Sequence, residues 1–477
     1  MGRMKVISIA EACLLLMALS ACVVGPDYVR PKAETPPSYK EMEGWKQAEP
    51  KDRIPRGSWW TIFNDTHLNS LEDQVNISNQ NLKAAEAQYR EALALVQAAR
   101  AAYFPTVTAG PSVARQHPSA NAPGVHGVSI GTSFTTNDLI MSGQLTWEID
   151  LWGKVRRQVE SAKASAQASF DDIEEVRLSA QAQLAQDYFQ LRSLDSQIQI
   201  LETTVTNYQK FLDLTKNRYA AGVAAQSDVQ TAQVQLDTAK AQLIGLGVAR
   251  AQFEHAIAML MGKAPYDLTI PATPLIGPPP EIPAGIPSEL LERRPDIAVA
   301  ERQAAAANAQ IGVAISAYYP SLTLNASGGF EASDVAKWFT WPSRFWTLGP
   351  AQLTQILFNG GLTQAQVKEA EAAYDANVAT YRQTVLTGFQ QVEDELAALR
   401  ILEQQAQAQD IAVNSAKKNV QITINQYRVG TASALDVITT QAILLTNELS
   451  AAGILGSQMT AAVLLIQAVG GGWQACP

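Results

Sequence analysis

The chain has 477 residues, of which 47% are hydrophobic and 17% are charged, and its mean hydropathy is -0.05. This composition excludes both a disordered chain and a bundle of transmembrane helices. The formal net charge of -9 argues against a nucleic-acid binder, because a surplus of carboxylates does not neutralise phosphates.

The N-terminus has the features of a targeting segment. A basic start and a short apolar run are followed by small residues and Cys22, a pattern that resembles a bacterial lipoprotein cleavage site. We therefore predict a signal peptide at 1–21 and a lipidated Cys22 at the head of an extended tail, 22–63. The next residue, Val23, is not the aspartate that often retains lipoproteins in the inner membrane, which favours the outer membrane. Ordinary cleavage nearby, with an incidental cysteine, is the alternative.

Each half of the chain begins with a helix that ends at an aromatic residue followed by proline. The spacing of apolar residues predicts these helices over 68–102 and 295–317. After each helix the apolar residues recur with a period of two, which is typical of β-strands. The alternating residues are Leu145, Trp147 and Ile149 in the first half, and Leu322, Leu324 and Ala326 in the second.

These alternating segments predict two strands of about ten residues in each half, a length that suits a tilted membrane-spanning strand. Nine aromatic residues between Tyr318 and Phe358 favour an aromatic girdle at a membrane interface, with a locally packed loop as the alternative. Four strands cannot close a transmembrane barrel, which needs at least about eight. Several copies would therefore share one barrel, and a trimer would supply about twelve strands.

Two long segments without helix breakers dominate the rest of the sequence. Residues 154–221 contain neither Gly nor Pro, and 362–429, also 68 residues, contain only Gly388. Both segments are rich in Ala, Gln, Leu and Glu at helical spacing. A helix of that length would run roughly 100 Å at about 1.5 Å per residue, which is too long for the core of an ordinary globular domain.

The two halves are copies of one unit. Residues 219–238 and 427–446 are identical at nine of twenty positions, at an offset of 208 residues. The chain therefore divides into a first repeat, a proline-rich connector pinned along a surface, a second repeat and a short tail. Their predicted ranges are 64–262, 263–289, 290–472 and 473–477.

An uncharged apolar segment near the C-terminus, 449–469, is long enough for a transmembrane helix. Its partner in the first repeat, 241–261, contains Arg250, Glu254 and His255. Because equivalent elements should share an environment, we predict that both segments pack against neighbouring helices, with a membrane span as the alternative for the second.

Taken together, these residues resemble the TolC-type outer-membrane efflux channels, in particular their lipidated subgroup. The shared motifs are Cys22 with Gly25-Pro26-Asp27-Tyr28, Asp150-Leu151-Trp152-Gly153-Lys154, Arg294-Pro295-Asp296-Ile297 and Phe358-Asn359-Gly360-Gly361. The resemblance covers essentially the whole mature chain. It implies a mostly α fold with a small β part, in which a long α-helical barrel is continued by a transmembrane β-barrel shared between subunits.

The resemblance also implies the partners and the role. The chain would form a homotrimer anchored in the outer membrane, reach into the periplasm, and dock to an adaptor protein and an inner-membrane pump of the RND type. It would passively conduct drugs or other small toxic compounds, with no cofactor beyond the lipid on Cys22, no metal site and no nucleic acid. A type I protein-secretion conduit and a lipid-anchored periplasmic coiled-coil scaffold are the alternatives.

The corner after each long helix carries the candidate gate. A tyrosine, a glycine three residues later and an aspartate six residues after that predict a helix-turn-helix corner. In the resembled family this end of the tube is the periplasmic gate, where Asp436 would form a carboxylate ring that favours cations. The candidate gate residues are Tyr219, Gly222, Asp228, Tyr427, Arg428, Gly430, Leu435 and Asp436. Helix capping is the alternative for both aspartates.

The sequence offers little support for an enzyme. The pattern G-x-S-x-G at 127–131 lies in a loop with no helix after it, so the context of a nucleophile elbow is missing. The four histidines lack the spacing of metal ligands, and no phosphate-binding Walker pattern occurs in the sequence. We therefore expect no catalytic activity, and the energy for transport would have to come from a partner.

Overall fold

The computed structural model describes residues 23–32, 57–117, 119, 135–280 and 294–471. The predicted signal peptide, Cys22 and the G-x-S-x-G pattern lie outside these residues. In chain order the described elements are α1 (Thr66–Ser78), α2 (Gln80–Ala101), β1 (Thr106–Gln116), β2 (Thr136–Ile149), α3 (Lys154–Ala220), α4 (Gln226–Leu260), α5 (Pro295–Ser316), β3 (Ser321–Ala332), β4 (Arg344–Thr354), α6 (Leu362–Val429) and α7 (Ala434–Ala468). A 3₁₀ helix, Trp59–Phe63, precedes α1, so the last residues of the predicted extended tail are helical.

The two halves of the described chain have the same order of elements. Each has a hairpin of two strands, a long helix, a tight corner and a further helix. The long helices α3 and α6 contain 67 and 68 residues, and α4 and α7 contain 35 each. The two long helices predicted from the absence of helix breakers are therefore confirmed.

The helix predicted over 68–102 is wrong in one respect, because the structure divides it at Asn79. The backbone of Asn79 leaves the helical conformation, with a ψ of 126°. Its side-chain amide donates to the carbonyl oxygen of Leu260 at 2.7 Å, and its side-chain oxygen accepts from the backbone N–H of Leu82 at 3.0 Å. Asn79 thus caps α2 and fastens the break to the end of α4.

The four strands form one antiparallel sheet in the order β1-β2-β3-β4. Directly paired residues of antiparallel strands lie on the same face, so the register identifies both faces. One face is apolar, and its members include Val107, Val113, Leu139, Met141, Leu145, Trp147, Leu322, Leu324, Phe330, Trp346 and Leu348. The opposite face is mainly polar, and its members include Thr106, Thr108, Ser112, Asp138, Ser142, Gln144, Glu148, Thr323, Asn325, Ser327 and Glu331.

The described residues fall into two compact units. The first contains the sheet and the segment 23–31. Arg157 fixes this segment by donating to the carbonyl oxygens of Val24 at 3.2 Å and Gly25 at 3.1 Å and to the carboxylate of Asp27 at 2.8 Å. Gly25 has a φ of +92°, and a Cβ there would lie 2.4 Å from the Cα of Gly312, so only glycine fits.

The second unit contains the main hydrophobic core. Trp59 and Trp60 of the 3₁₀ helix are buried against Leu68 and Val75 of α1 and against residues of α3, α4 and α7. The core also includes Tyr188, whose hydroxyl donates to Asp65, the residue that caps α1, at 2.6 Å. The predicted tail thus contributes Trp59 and Trp60 to the core of this unit.

The described part of the connector begins with a 3₁₀ helix, Pro265–Asp267, and then lies along α3 and α4. Ile270 donates its N–H to Glu254 at 2.8 Å and accepts from Arg250 at 2.6 Å, and the N–H of Thr273 donates to Asp195 at 2.9 Å. Arg250 also pairs with Asp195 at 2.7 Å. The backbone groups that an extended segment leaves free are therefore bonded to helix side chains.

One helix of the described residues, α7, is long and apolar enough to cross a membrane by length and composition. Half of its most apolar stretch is buried inside the chain. Met459 and Val463 of α7 belong to the main core, and Leu465 contributes to a second cluster with Tyr381 and Phe389 of α6. The structure therefore agrees with the prediction that this segment packs against neighbouring helices.

Candidate functional site

The corners between the long helices and their successors have the predicted geometry. Gly222 and Gly430 follow α3 and α6 with φ angles of +77° and +84°, which favour glycine. The N–H of Gly222 donates to the carbonyl oxygen of Tyr219 at 2.9 Å, and the N–H of Gly430 donates to that of Tyr427 at 3.1 Å. These bonds satisfy the last carbonyl groups of the long helices and turn the chain back.

Asp436 caps the first turn of α7. Its carboxylate accepts from the backbone N–H of Ser433 at 2.8 Å and from the Ser433 hydroxyl at 2.7 Å, while the hydroxyl accepts from the Asp436 N–H at 3.2 Å. This is a capping box. The two bonds from Ser433 hold the pKa of Asp436 below its ordinary value.

Asp228 occupies the equivalent position in the first corner, at the start of α4, where it makes fewer capping bonds than Asp436. Its carboxylate accepts from the backbone N–H of Ala225 at 3.3 Å. The side chain of Ala225 has no polar atom, so the reciprocal bond that Ser433 makes has no counterpart here. The capping interpretation therefore describes both aspartates within one chain, and a ring of Asp436 carboxylates stays a prediction about the assembly.

Tyr427 is buried, with 3% of its surface exposed, among residues of both helical hairpins, α3–α4 and α6–α7. Its ring lies 5.4 Å from that of Phe211, and its hydroxyl lies 3.5 Å from that of Thr215. The cluster around it combines residues from α3, α4, α6 and α7, namely Tyr208, Phe211, Leu212, Ala232, Leu236, Ala239, Ala434, Val437 and Ile438. Tyr427 therefore joins the tips of the two hairpins of one chain.

Arg218 makes polar contacts between the two tips and was not among the candidates predicted from the sequence. Its guanidinium lies 4.6 Å from the centre of the Tyr427 ring and donates to the Tyr427 carbonyl oxygen at 2.8 Å. The same guanidinium donates to the carbonyl oxygen of Arg428 at 3.3 Å. The repeat gives no signal for this contact, because the position equivalent to Arg218 in the second copy is Gln426 and the guanidinium does not recur there.

The remaining candidates of the gate are on the surface of the chain. Leu435 is 64% exposed and Tyr219 is 47% exposed, and Arg428 is exposed as well. The structure therefore separates the candidates into two groups. Tyr427 holds the tips together, whereas Leu435, Tyr219 and Arg428 are available for contacts with other chains.

The described residues contain no group of three or more His, Cys, Asp or Glu side chains that could hold a metal ion. His117 lies 3.1 Å from the hydroxyl of Thr135, at the outer ends of β1 and β2. Several Asp and Glu side chains of the described chain take part in helix caps or ion pairs, such as that of Asp195 with Arg250.

Comparison with known proteins identifies the family. The model of the family described as outer membrane efflux protein matches residues 71–263 and 286–471. The chain is 30% identical over 469 residues to the probable efflux pump outer membrane protein TtgC of Pseudomonas putida, covering 96% of both chains. It is 31% identical over 473 residues to the pyoverdine export outer membrane protein OpmQ of Pseudomonas aeruginosa, covering 99% of this chain and 98% of that protein.

Solved structures agree with the sequence comparison. The outer-membrane channel OprN superposes with a TM-score of 0.85 at 29% identity, over 95% of this chain and 100% of that chain. The CmeC outer membrane channel of Campylobacter jejuni also has a TM-score of 0.85, at 25% identity over 95% of this chain and 96% of that chain. The chain belongs to the family of outer membrane efflux proteins.

Proposed function

We propose that three copies of this chain form one gated tube that passively conducts small molecules from the periplasm through the outer membrane. The observation that carries the proposal is the register of the sheet, which separates an apolar face from a polar one. Within the described chain, β1 and β4 are each paired on one side only. Open strand edges are not stable against lipid, so the sheet needs further copies to close.

A barrel of three such sheets has about twelve strands, within the range of transmembrane barrels. Its apolar face, including Leu145 and Leu324, would contact lipid. Its polar face, including Gln144 and Asn325, would line a water-filled lumen. The long helices α3 and α6 would continue the tube on the periplasmic side.

The gate would lie at the corners after the long helices. Arg218 and Tyr427 hold the two hairpin tips of one chain together. Asp436, repeated by symmetry, would add a ring of carboxylates, and the exposed Leu435 would provide an apolar constriction beside it. Because Asp436 is capped by Ser433, its carboxylate would be held in a fixed position in the ring.

A lipid on Cys22 would anchor the chain beside the sheet. The N–H of Val24 donates to the carbonyl oxygen of Trp152 at 3.0 Å, three residues after the end of β2. The indole of Trp152 donates to the carbonyl oxygen of Pro320 at 2.8 Å, immediately before β3 begins. These contacts support a lipid position at the end of the strands nearest the helices. Mass spectrometry of the mature N-terminus tests the acylation directly.

The partners and the cargo are inferred from the family of outer membrane efflux proteins. Relatives are named for efflux of antibiotics, of toluene and of pyoverdine. We propose small organic compounds as the cargo of this chain, and a periplasmic adaptor with an inner-membrane pump of the RND type as its partners. The sequence has no Walker pattern, so this proposal assigns energy conversion to the pump.

A deletion strain tests the proposed function. Loss of this chain should raise susceptibility to organic toxicants and dyes, and the wild-type gene should restore resistance. A strain with unchanged susceptibility and a missing secreted protein would instead support the secretion conduit. Unchanged susceptibility and unchanged secretion would support the scaffold.

A further inference from the structure

The loop between β3 and β4, residues 333–343, lies at the end of the sheet remote from the helices. The chain enters β3 from α5 and leaves β4 toward α6, so the loop is at the opposite end of both strands. The hydroxyls of Thr340 and Ser343 donate to the carbonyl oxygen of Lys337 at 2.8 and 2.7 Å. Asp334 accepts from the N–H of Ala336 at 3.0 Å. These bonds give the loop a defined conformation.

Aromatic side chains of this loop are placed at the apolar face of the sheet. The ring of Phe339 packs edge-on against Phe330, with 5.7 Å between centres, and Phe330 is on the apolar face. Trp338 stacks on Phe339 at 5.0 Å. Phe339 and Trp341 are nevertheless 64% and 75% exposed. Exposed aromatic residues that continue a lipid-facing surface are typical of the membrane interface.

Three cations lie at the same end, and the register places two of them on the apolar face. Arg344 pairs with Phe330, and its guanidinium stacks on the Trp341 ring while its Nε donates to the Trp341 carbonyl oxygen at 3.1 Å. Arg115 of β1 has the same alternation as Val113 and is therefore on the apolar face too. The third cation is Lys337, in the loop itself. We call Arg115, Lys337 and Arg344 the cationic rim.

The carboxylates at this end of the sheet are segregated from the rim. Asp138 pairs with Ala114, and Glu331 pairs with Ile140, which places both carboxylates on the polar face. Asp334 of the loop is used to cap Ala336. Among the described residues, no carboxylate forms an ion pair with a member of the cationic rim. The apolar face thus ends in positive charge and the polar face in negative charge.

We propose that the cationic rim binds the phosphate groups of lipids in the outer leaflet of the outer membrane. Lys337 and Arg344 would come from one copy and Arg115 from its neighbour, because closing the barrel brings β4 of one copy beside β1 of the next. A guanidinium matches phosphate with paired N–H donors, and an ammonium binds it as a point charge. The adjoining tryptophan and phenylalanine rings would contact the upper acyl chains. The inference rests on the shared barrel of the proposed function, but not on its cargo.

Lipid titration of the purified full-length protein in detergent tests the proposal. The probes are lipid A carrying two phosphates and the same lipid after enzymatic dephosphorylation, with bound lipid counted by native mass spectrometry. The test variant is the double substitution K337Q/R344Q. The matched control is R90Q, which removes an exposed arginine of α2 outside the sheet. Wild type and R90Q should prefer the phosphorylated lipid, and the double variant should bind it about tenfold more weakly.

The remaining outcomes distinguish a loss of the lipid site from a failure of the barrel to form. Equal affinity of K337Q/R344Q and wild type for phosphorylated lipid A would overturn the proposal, as would equal binding of the two lipids by wild type. R115Q should also weaken binding, and an unchanged affinity would overturn the contribution of the neighbouring copy. Conductance in a planar bilayer serves as the fold control. If K337Q/R344Q conducts as wild type does, weaker lipid binding reports on the rim and not on a failed barrel.

Discussion

At the scale of single residues, Glu72 is the least expected feature of the core. Its side chain is fully buried in α1, and within the described residues neither carboxylate oxygen has a hydrogen-bond partner. Burial raises the pKa of Glu72 well above 4.5, and the nearby charge of Asp73 adds to the effect. The folded protein therefore favours the protonated form.

The raised pKa predicts that stability falls with rising pH. Below pH 4.5 the carboxyl of Glu72 is protonated in both the folded and the unfolded chain, so its burial carries no ionisation cost. As the pH rises from 4.5 toward the pKa of Glu72 in the folded chain, the unfolded chain loses this proton first, and the free energy of unfolding falls. Glu72→Gln should therefore stabilise the protein at about pH 8 by about 1 to 3 kcal/mol, and the difference should vanish at about pH 4.

Thermal unfolding at both pH values measures this effect. The matched control is Glu86→Gln, which removes an exposed carboxylate of α2. A Glu72→Gln variant with the same unfolding midpoint as wild type at the higher pH would show that Glu72 is ionised without cost in the fold.

Asp436 caps α7 and has a second, proposed role in a ring of carboxylates, and substitution can separate the two. Asp436→Ala removes both the cap and the proposed ring of negative charge, whereas Ser433→Ala removes the hydroxyl of the cap and keeps the charge. Cation preference should fall in Asp436→Ala, because the like charges that attract cations to the constriction are gone. Ser433→Ala should retain it at neutral pH. The reversal potential in a salt gradient is the measurement, and equal values for Asp436→Ala and wild type would count against the ring.

Loss of the Ser433 hydroxyl also has a pH consequence. The bonds from Ser433 lower the pKa of Asp436, so the wild-type carboxylate stays ionised to a lower pH than an uncapped one. In Ser433→Ala, cation preference should decline at a higher pH than in wild type during acid titration. The same decline in both proteins would mean that the cap does not control the charge.

At the scale of elements, the sheet offers two adjacent residues with opposite environments. Leu145 lies on the apolar face and Gln144 on the polar face. Lysine at position 145 would place a charge against lipid, which costs about 2 to 4 kcal/mol near the bilayer centre. Leu145→Lys should therefore abolish or sharply reduce assembled protein in the outer membrane. Gln144→Lys should assemble normally and reduce cation preference, because it adds positive charge to the lumen.

Membrane fractionation with unheated gel electrophoresis measures assembly of the two variants, and bilayer recording measures their selectivity. The pair differs by one position along a strand, so local effects on β propensity are similar. Normal assembly of Leu145→Lys together with failure of Gln144→Lys would reverse the assignment of the two faces.

Elements whose periodicity or composition is uniform could be predicted from the sequence. The long helices follow from the absence of Gly and Pro, and the strands from their alternation of apolar and polar residues. The break at Asn79 could not, because it depends on the carbonyl oxygen of Leu260, a partner 181 residues away in sequence. Contacts that one residue makes across the fold leave no periodic trace in the sequence.

The candidate gate shows the same division. Its two corners were predictable, because the turn chemistry of Gly222 and Gly430 is local. The contact of Arg218 with Tyr427 was not, because it joins two hairpins that are 209 residues apart in sequence. Which of the gate candidates face a neighbouring copy is likewise a property of the assembly.

At the scale of the whole molecule, the near-zero mean hydropathy results from two kinds of surface in one chain. One face of a four-stranded sheet is apolar, while helices of 67 and 68 residues carry mixed polar surfaces. Neither open edge of the sheet is satisfied within the described chain. In the proposed trimer, other copies would complete the fold of a single copy, and assembly would then be a condition of function.

Planar-bilayer recording of the purified full-length protein tests this central claim most directly. We expect discrete conductance steps from the assembled oligomer, with a preference for cations that depends on Asp436. Subunit mass by native mass spectrometry of the same sample should be that of three chains. A trimer without ion-conducting openings under any condition, in wild type and in Asp436→Ala alike, would contradict the account of this chain as a channel.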